Sequence, residues 1–181
     1  MTKVSARWVP KLLGPDQKRL RSNMSKNNLA FFYADPERFI RRFVTMDETW
    51  VHHFQPEPKE LSKQWKHHGS PAPKKAKSVI SAGKVMASIF WDSEGVLLVD
   101  YLTKGQSITG PYYANLIRQL QEKVKKKQRG KLSLGGLFHQ DNAPAHKSTV
   151  ALAAIHDCGF QLVEHPPCSP DLAPSDYYFP R

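Results

Sequence analysis

Apolar and polar residues alternate through "RFVTMDETWVHHF", with β-branched members among them, and this two-residue period predicts a strand beginning at Phe43. "KVMASIFWD" and "GVLLVDYL" predict two more strands, joined by a hairpin at Ser93-Glu94-Gly95. In "TGPYYANLIRQLQEKVKKK" the period changes: Tyr112, Tyr113, Leu116, Ile117, Leu120 and Val124 form a helical stripe with a basic C-terminal end. "LSLGGLF" reads as a short buried strand broken by two glycines, and "HKSTVALAAIHDCG" as an alanine-rich helix stopped by glycine. "FQLVEHP" is a fifth strand, and a last helix begins around Pro174–Ser175. Hairpin strands followed by alternating helices and strands predict an α/β fold with a mixed five-stranded sheet flanked by helices.

The flanking segments read differently. Residues 1–42 are polar and basic, with helix starts at Pro15 and Asp35-Pro36, and predict a linker and helical arm ahead of a domain spanning 43–181. Residues 55–84 carry Pro, Gly and Lys throughout and little periodicity, which predicts an inserted loop that is either functional or disordered. The lysine-rich run Lys123 to Lys131 is expected to end a helix in solvent.

Charge sharpens this picture. The net charge is +11, but residues 1–45 carry ten Lys/Arg against three Asp/Glu, while the last fifty carry two against five. A basic chain with an acidic C-terminal region suits a polyanion track leading to a cation site, and equally a solvated basic surface. No run of about 18 apolar residues predicts a membrane span. Two cysteines, Cys158 and Cys168, give no CxxC and no disulfide framework, which points to a reducing, intracellular setting.

Three carboxylates sit at marked positions: Asp47 in the first strand, Asp141 at the end of the fourth, and Asp176 at the start of the last helix. If the first and fourth strands are neighbours, the three can converge. Converging carboxylates repel unless protonated or bound to a hard cation, and Mg²⁺ or Mn²⁺ accepts such oxygens together with substrate phosphate. Each acid also has a plain structural reading. Asp47 can pair with a lysine, Asp141-Asn142 can form an Asx turn, and Ser175 or Asp176 can cap a helix.

A resemblance adds to this reading. "VTMDETWVHHF", "LFHQDNAPAH" and "HPPCSPDLAPSDYY" are similar to the three signature blocks of mariner transposases in the Tc1/mariner superfamily, and the 34 residues between Asp141 and Asp176 match that family's DD34D spacing. "SARWVP" resembles the linker motif that follows the family's helix-turn-helix region, and the same family supplies the transposase half of a SET-domain methyltransferase fusion. The resemblance covers nearly the whole chain. It implies an RNase H-like fold, with Asp47, Asp141 and Asp176 as catalytic residues and ligands of two Mg²⁺ or Mn²⁺ ions. The reaction implied is cleavage of double-stranded DNA at transposon ends and strand transfer into a TA target, without a covalent protein intermediate. It further implies a homodimer and a nuclear location.

Measured against the family pattern, the helix-turn-helix motifs ahead of "SARWVP" and the sequence after Asp176 are missing, and Cys168 stands where Tyr is usual; the expectation is a catalytic domain truncated at both ends. Two alternatives stay open: a domesticated, catalytically inactive DNA-binding or dimerisation module, and an RNase H-like nuclease acting on RNA–DNA hybrids. Secondary candidates for DNA contact are Lys74, Lys75 and Lys77, which read equally as ordinary loop lysines, and Asn142 and His146, which read equally as turn and helix-start residues; Trp8, Val9 and Pro10 are candidates for the linker or dimer interface. Trp50, Trp65 and Trp91 are expected in the core or an interface. His52-His53 and His67-His68 lack partners at zinc-site spacing.

Overall fold

The alternating segment becomes β1 (Phe43–His52), the middle strand of a five-stranded sheet of order β3-β2-β1-β4-β5. The other strands are β2 (Lys84–Asp92), β3 (Gly95–Tyr101), β4 (Gly136–His139) and β5 (Phe160–Val163). β1, β2 and β3 pair antiparallel, whereas β1, β4 and β5 pair parallel. This computed structural model describes residues 11–52, 60, 63–71, 74, 83–128 and 130–178. Trp8, Val9, Pro10, Lys75 and Lys77, and much of the 55–84 insertion, lie outside the described residues.

Successive side chains of a strand face opposite sides, and the two sides of β1 meet different layers. Val44 and Met46 share a buried cluster with Phe90, Leu98, Phe138 and Phe160, roofed by α3 (Gly110–Lys127) and α4 (Thr149–Asp157). Thr45 and Asp47 face the other side. That side carries α1 (Pro15–Ala34), α2 (Pro36–Arg42) and the short α5 (Pro174–Tyr178).

The helical stripe of α3 is buried as its spacing predicts: Tyr113, Leu116, Ile117, Leu120 and Val124 all enter the core. Each such side chain contributes about 1.5–3 kcal/mol through removal of apolar surface from water. Thr109 caps the helix by accepting from the Tyr112 N–H. Tyr112 stays at the margin of the core and donates its hydroxyl to Asp100. In contrast, α1 buries no residue of its own, as expected of an arm without a core. Polar contacts tie it down: Arg21 forks onto both oxygens of Asp171 at 2.8 and 2.5 Å, and Asn28 donates to the Glu164 carbonyl at 3.3 Å.

The glycine pair in "LSLGGLF" has two distinct jobs. Gly135 turns the chain with a φ of +76°, a conformation that disfavours side chains. A Cβ on Gly136 would stand 2.9 Å from the Phe160 ring, so the absence of a side chain lets β4 approach β5.

One expectation needs correction. Lys125, Lys126 and Lys127 are exposed, but the last residue of the lysine-rich run is not. Lys131 is 5% exposed and reaches Asp92 Oδ2 at 2.5 Å. Gln128 also donates to Oδ2, while the Glu94 and Gly95 N–H groups bind Oδ1. The β2–β3 turn thus holds a buried carboxylate whose charge only Lys131 balances among these donors. Removing one partner of such a pair strands a buried charge. Lys131→Ala is therefore expected to lower unfolding free energy by about 3–5 kcal/mol in urea titrations. Lys131→Met combined with Asp92→Asn should recover most of that loss.

Candidate active site

The site begins with a register. Phe43 lies opposite Leu137, Val44 opposite Phe138, and Thr45 opposite His139 in the parallel β1–β4 pair. Two residues further along each chain stand Asp47 and Asp141, so the pairing brings both acids level at the carboxyl end of the sheet. The expected adjacency of the first and fourth strands holds. The ladder itself stops at His139, however, and Asp141 lies just past the strand end. There its Oδ1 accepts the Ala143 N–H at 3.0 Å, which is the turn that Asp141-Asn142 was expected to allow.

Asp176 arrives from the opposite end of the chain. Ser169, Ala173 and Ser175 are buried, so the proline-rich approach is packed down instead of looping into solvent. Trp91 Nε1–H donates to Ser175 Oγ at 3.0 Å, and the Tyr178 ring meets the Trp91 ring edge-on. These contacts seat α5 against the face of the sheet that carries Asp47. The three acids line one cavity of about 470 Å³, together with Glu48, Trp50, His139 and Ser175.

Electrostatics mark the same point. Burial raises the Asp47 carboxyl; the Glu48 N–H opposes this, and the charges of Asp176, Glu48 and Asp141 reinforce it, leaving Asp47 at about 6. Burial would also raise Asp141, but the His146 hydrogen bond and the Ala143 N–H hold it below the usual carboxylate range. His139, buried beside His165, is pushed down to about 4. Its ring contacts Thr45 Oγ1 on one side and His165 Nδ1 on the other.

His146 is the residue that sequence reasoning placed least well. It was expected either to contact a ligand or phosphate or to serve a turn or helix start; it is 1% exposed and both ring nitrogens are engaged. Nδ1 lies 2.6 Å from Asp141 Oδ1, and Nε2 lies 2.9 Å from Glu48 Oε1. Burial alone would lower its pKa, but the hydrogen bonds to Asp141 and Glu48 push it up to about 9, so both nitrogens donate at neutral pH. No atom is left for a phosphate. Asn142 donates one amide hydrogen to the His165 carbonyl at 2.8 Å, which fixes the loop. Lys74 and Trp65 are exposed, and Trp50 lies beneath the Lys84 ammonium at 4.1 Å.

The donor set suits a hard divalent cation, since three carboxylates face one cavity, and burial first and then the neighbouring carboxylate charges raise the Asp47 pKa. Among the described residues, no three His, Cys, Asp or Glu side chains already converge tightly as a metal cluster. Glu48 went unnoticed in the sequence because alternation assigns it to the opposite face from Asp47. Only the fold shows that His146 lies there to meet it.

Because Asp47 titrates higher in the folded than in the unfolded chain, its ionisation costs native stability as pH rises through about 6. Near pH 4 and below the penalty vanishes. Asp47→Asn is expected to raise the melting temperature of the metal-free protein by about 2–4 °C at pH 8 and to leave it unchanged near pH 4. Thermal unfolding followed by circular dichroism at both pH values tests this.

Residues 55–134 match the family model described as "Transposase (partial DDE domain)". The chain is 30% identical over 174 residues to the histone-lysine N-methyltransferase SETMAR of Homo sapiens, covering 95% of this chain and 25% of that protein. It is 31% identical over 176 residues to the mariner Mos1 transposase of Drosophila mauritiana, covering 95% of this chain and 49% of that one. It thus spans about half the length of the Mos1 protein and a quarter of SETMAR. Its fold is similar to the Mos1 mariner paired end complex with Mn, at 29% identity and a TM-score of 0.80, over 98% of this chain and 51% of that chain. It is likewise similar to the catalytic domain of Mos1 transposase, at 26% identity and a TM-score of 0.72, over 94% of this chain and 71% of that chain. The five-stranded sheet has the RNase H-like arrangement of that catalytic domain, and the chain is similar to the mariner Mos1 transposase over nearly its whole length.

Proposed function

We propose that this chain is the catalytic domain of a DNA transposase, a polynucleotidyl transferase that cuts DNA at transposon ends and joins the freed 3′ end to a TA target. The observation that carries this reading is the meeting of Asp47, Asp141 and Asp176 around one cavity from three distant parts of the chain. Relatives solved as a pre-cleavage transpososome and as a strand transfer complex support it.

In this reading Asp47, Asp141 and Asp176 are the catalytic acids and hold two Mg²⁺ or Mn²⁺ ions; Mos1 structures with Mn and with Mg support that choice. Bound there, the cations would activate an attacking oxygen and stabilise the leaving one at phosphorus. The protein's own work is positional. The β1–β4 pair supplies two carboxylates on a rigid edge, and the packed Pro166–Ser175 approach supplies the third. The net charge of +11 draws the polyanion toward an acidic centre that would otherwise repel it. Lys74, Lys75 and Lys77 of the insertion reach phosphates or a partner subunit, and Trp8, Val9 and Pro10 belong to the linker of a homodimer. A nuclear location belongs to the same proposal.

The test is nicking of supercoiled plasmid in Mn²⁺, comparing the wild-type chain with Asp141→Ala. Nicking that requires metal and falls at least 100-fold on substitution is expected, since removing an acid removes a ligand. Salt-sensitive DNA binding without nicking, unchanged by Asp141→Ala, would instead identify a binding module. Preferential cleavage of an RNA–DNA hybrid would identify a nuclease of another class.

A further inference from the structure

A carboxylate that must bind a cation needs a fixed orientation, and the groups that fix it matter nearly as much as the ligand itself. Both donors that hold Asp141, the Ala143 N–H and His146 Nδ1, fall on Oδ1. Among the described residues none is bonded to Oδ2. The carboxylate is therefore pinned by one oxygen, with the other left to the cavity it lines.

His146 is itself held from three sides. Its Nε2 meets Glu48 Oε1 at 2.9 Å, on the strand that also carries Asp47. Its ring lies against Tyr113 with centroids 4.1 Å apart and planes inclined by 31°. Its carbonyl accepts from Gln140 Nε2 at 3.3 Å, and Gln140 Oε1 accepts from the Tyr113 hydroxyl at 2.7 Å. Gln140, Tyr113 and His146 are all almost fully buried. A buried polar network with every member satisfied has one geometry, and it is costly to rearrange. A histidine needed only to fill the core would not require two carboxylates across two chain segments.

We infer that His146, clamped between Glu48 and Asp141, is a positioning residue that presets the Asp141 carboxylate for a divalent cation, with Glu48 as the anchor of that clamp. The inference rests on the reading of Asp141 as a cation ligand. It assigns roles to Glu48, His146 and the Tyr113–Gln140 pair beyond the three acids. His146 touches neither substrate nor cation; it acts through Asp141. The clamp also links the middle of β1 to the loop after β4 through Glu48, whose side chain faces the side of the sheet away from Asp47.

The test measures Mn²⁺ affinity of the chain by electron paramagnetic resonance, with melting temperatures recorded alongside. Asp141→Asn serves as the control for loss of the ligand. His146→Gln and Glu48→Gln are expected to weaken Mn²⁺ binding about 10–100-fold at temperatures where both remain folded. His146→Asn, whose amide nitrogen sits near the place of Nδ1, should recover part of the loss, which a merely structural histidine would not predict. If His146 variants unfold, Glu48→Gln carries the test, because that side chain is at the margin of the core. Wild-type Mn²⁺ affinity in folded Glu48→Gln and His146→Gln would overturn the positioning role alone. A wild-type chain that binds no Mn²⁺ at these acids would overturn both readings. Tight Mn²⁺ binding that depends on the clamp, without any DNA cleavage, would leave the clamp standing and sink the proposed reaction.

Discussion

The parallel pairing of β1 with β4 is the constraint on which the site depends. Its register, Thr45 opposite His139, puts Asp47 and Asp141 at the same height beyond the last paired step. A slip of one residue would reverse the facing of every β4 side chain and bring Asn142 or Gln140 level with Asp47. Such a slip is opposed by the core, because Phe138 is fully buried among Val44, Phe90 and Phe160 and the alternate register would turn it out of that cluster. Packing on one face thus determines chemistry on the edge. The glycine at 136, which lets β4 close on the Phe160 ring, belongs to the same mechanism.

Electrostatics then divide the molecule. A strongly basic chain gathers three acids at one cavity and pairs two others with cations elsewhere, at Lys131–Asp92 and Arg21–Asp171. Within the cavity the burden is uneven. His146 holds the Asp141 pKa down, whereas Asp47, favoured among the described residues by the Glu48 N–H, sits near 6. Two acids in one cavity with opposite shifts form an electrostatically loaded site, and such sites concentrate where function needs them.

Much of this was legible in the sequence, and the remainder was hidden for physical reasons. The periods were clear in β1, β2, β3 and α3 because each element buries one face against a continuous core. The meeting of Asp47 with Asp141 could be anticipated once the first and fourth strands were neighbours, since Asp47 lies within the first strand and Asp141 just past the end of the fourth. The role of His146 could not be read, because a polar residue five positions after Asp141 is compatible with a turn, a cap or a ligand contact. Only the tertiary fold carries it back to Glu48, 98 positions away in the chain. Lys131 was hidden for a related reason: in a run of lysines nothing local distinguishes the one that dives beneath the β2–β3 turn.

The central claim is that three acids, brought together by a strand register and a packed proline-rich segment, form one divalent-cation site. Anomalous diffraction from crystals of the chain grown with Mn²⁺ tests it most directly. The account predicts manganese peaks within bonding distance of Asp47 and Asp141, with Asp176 facing the same ions across the cavity. Manganese bound elsewhere on the surface, with those carboxylates unliganded in a well-ordered structure, would contradict it.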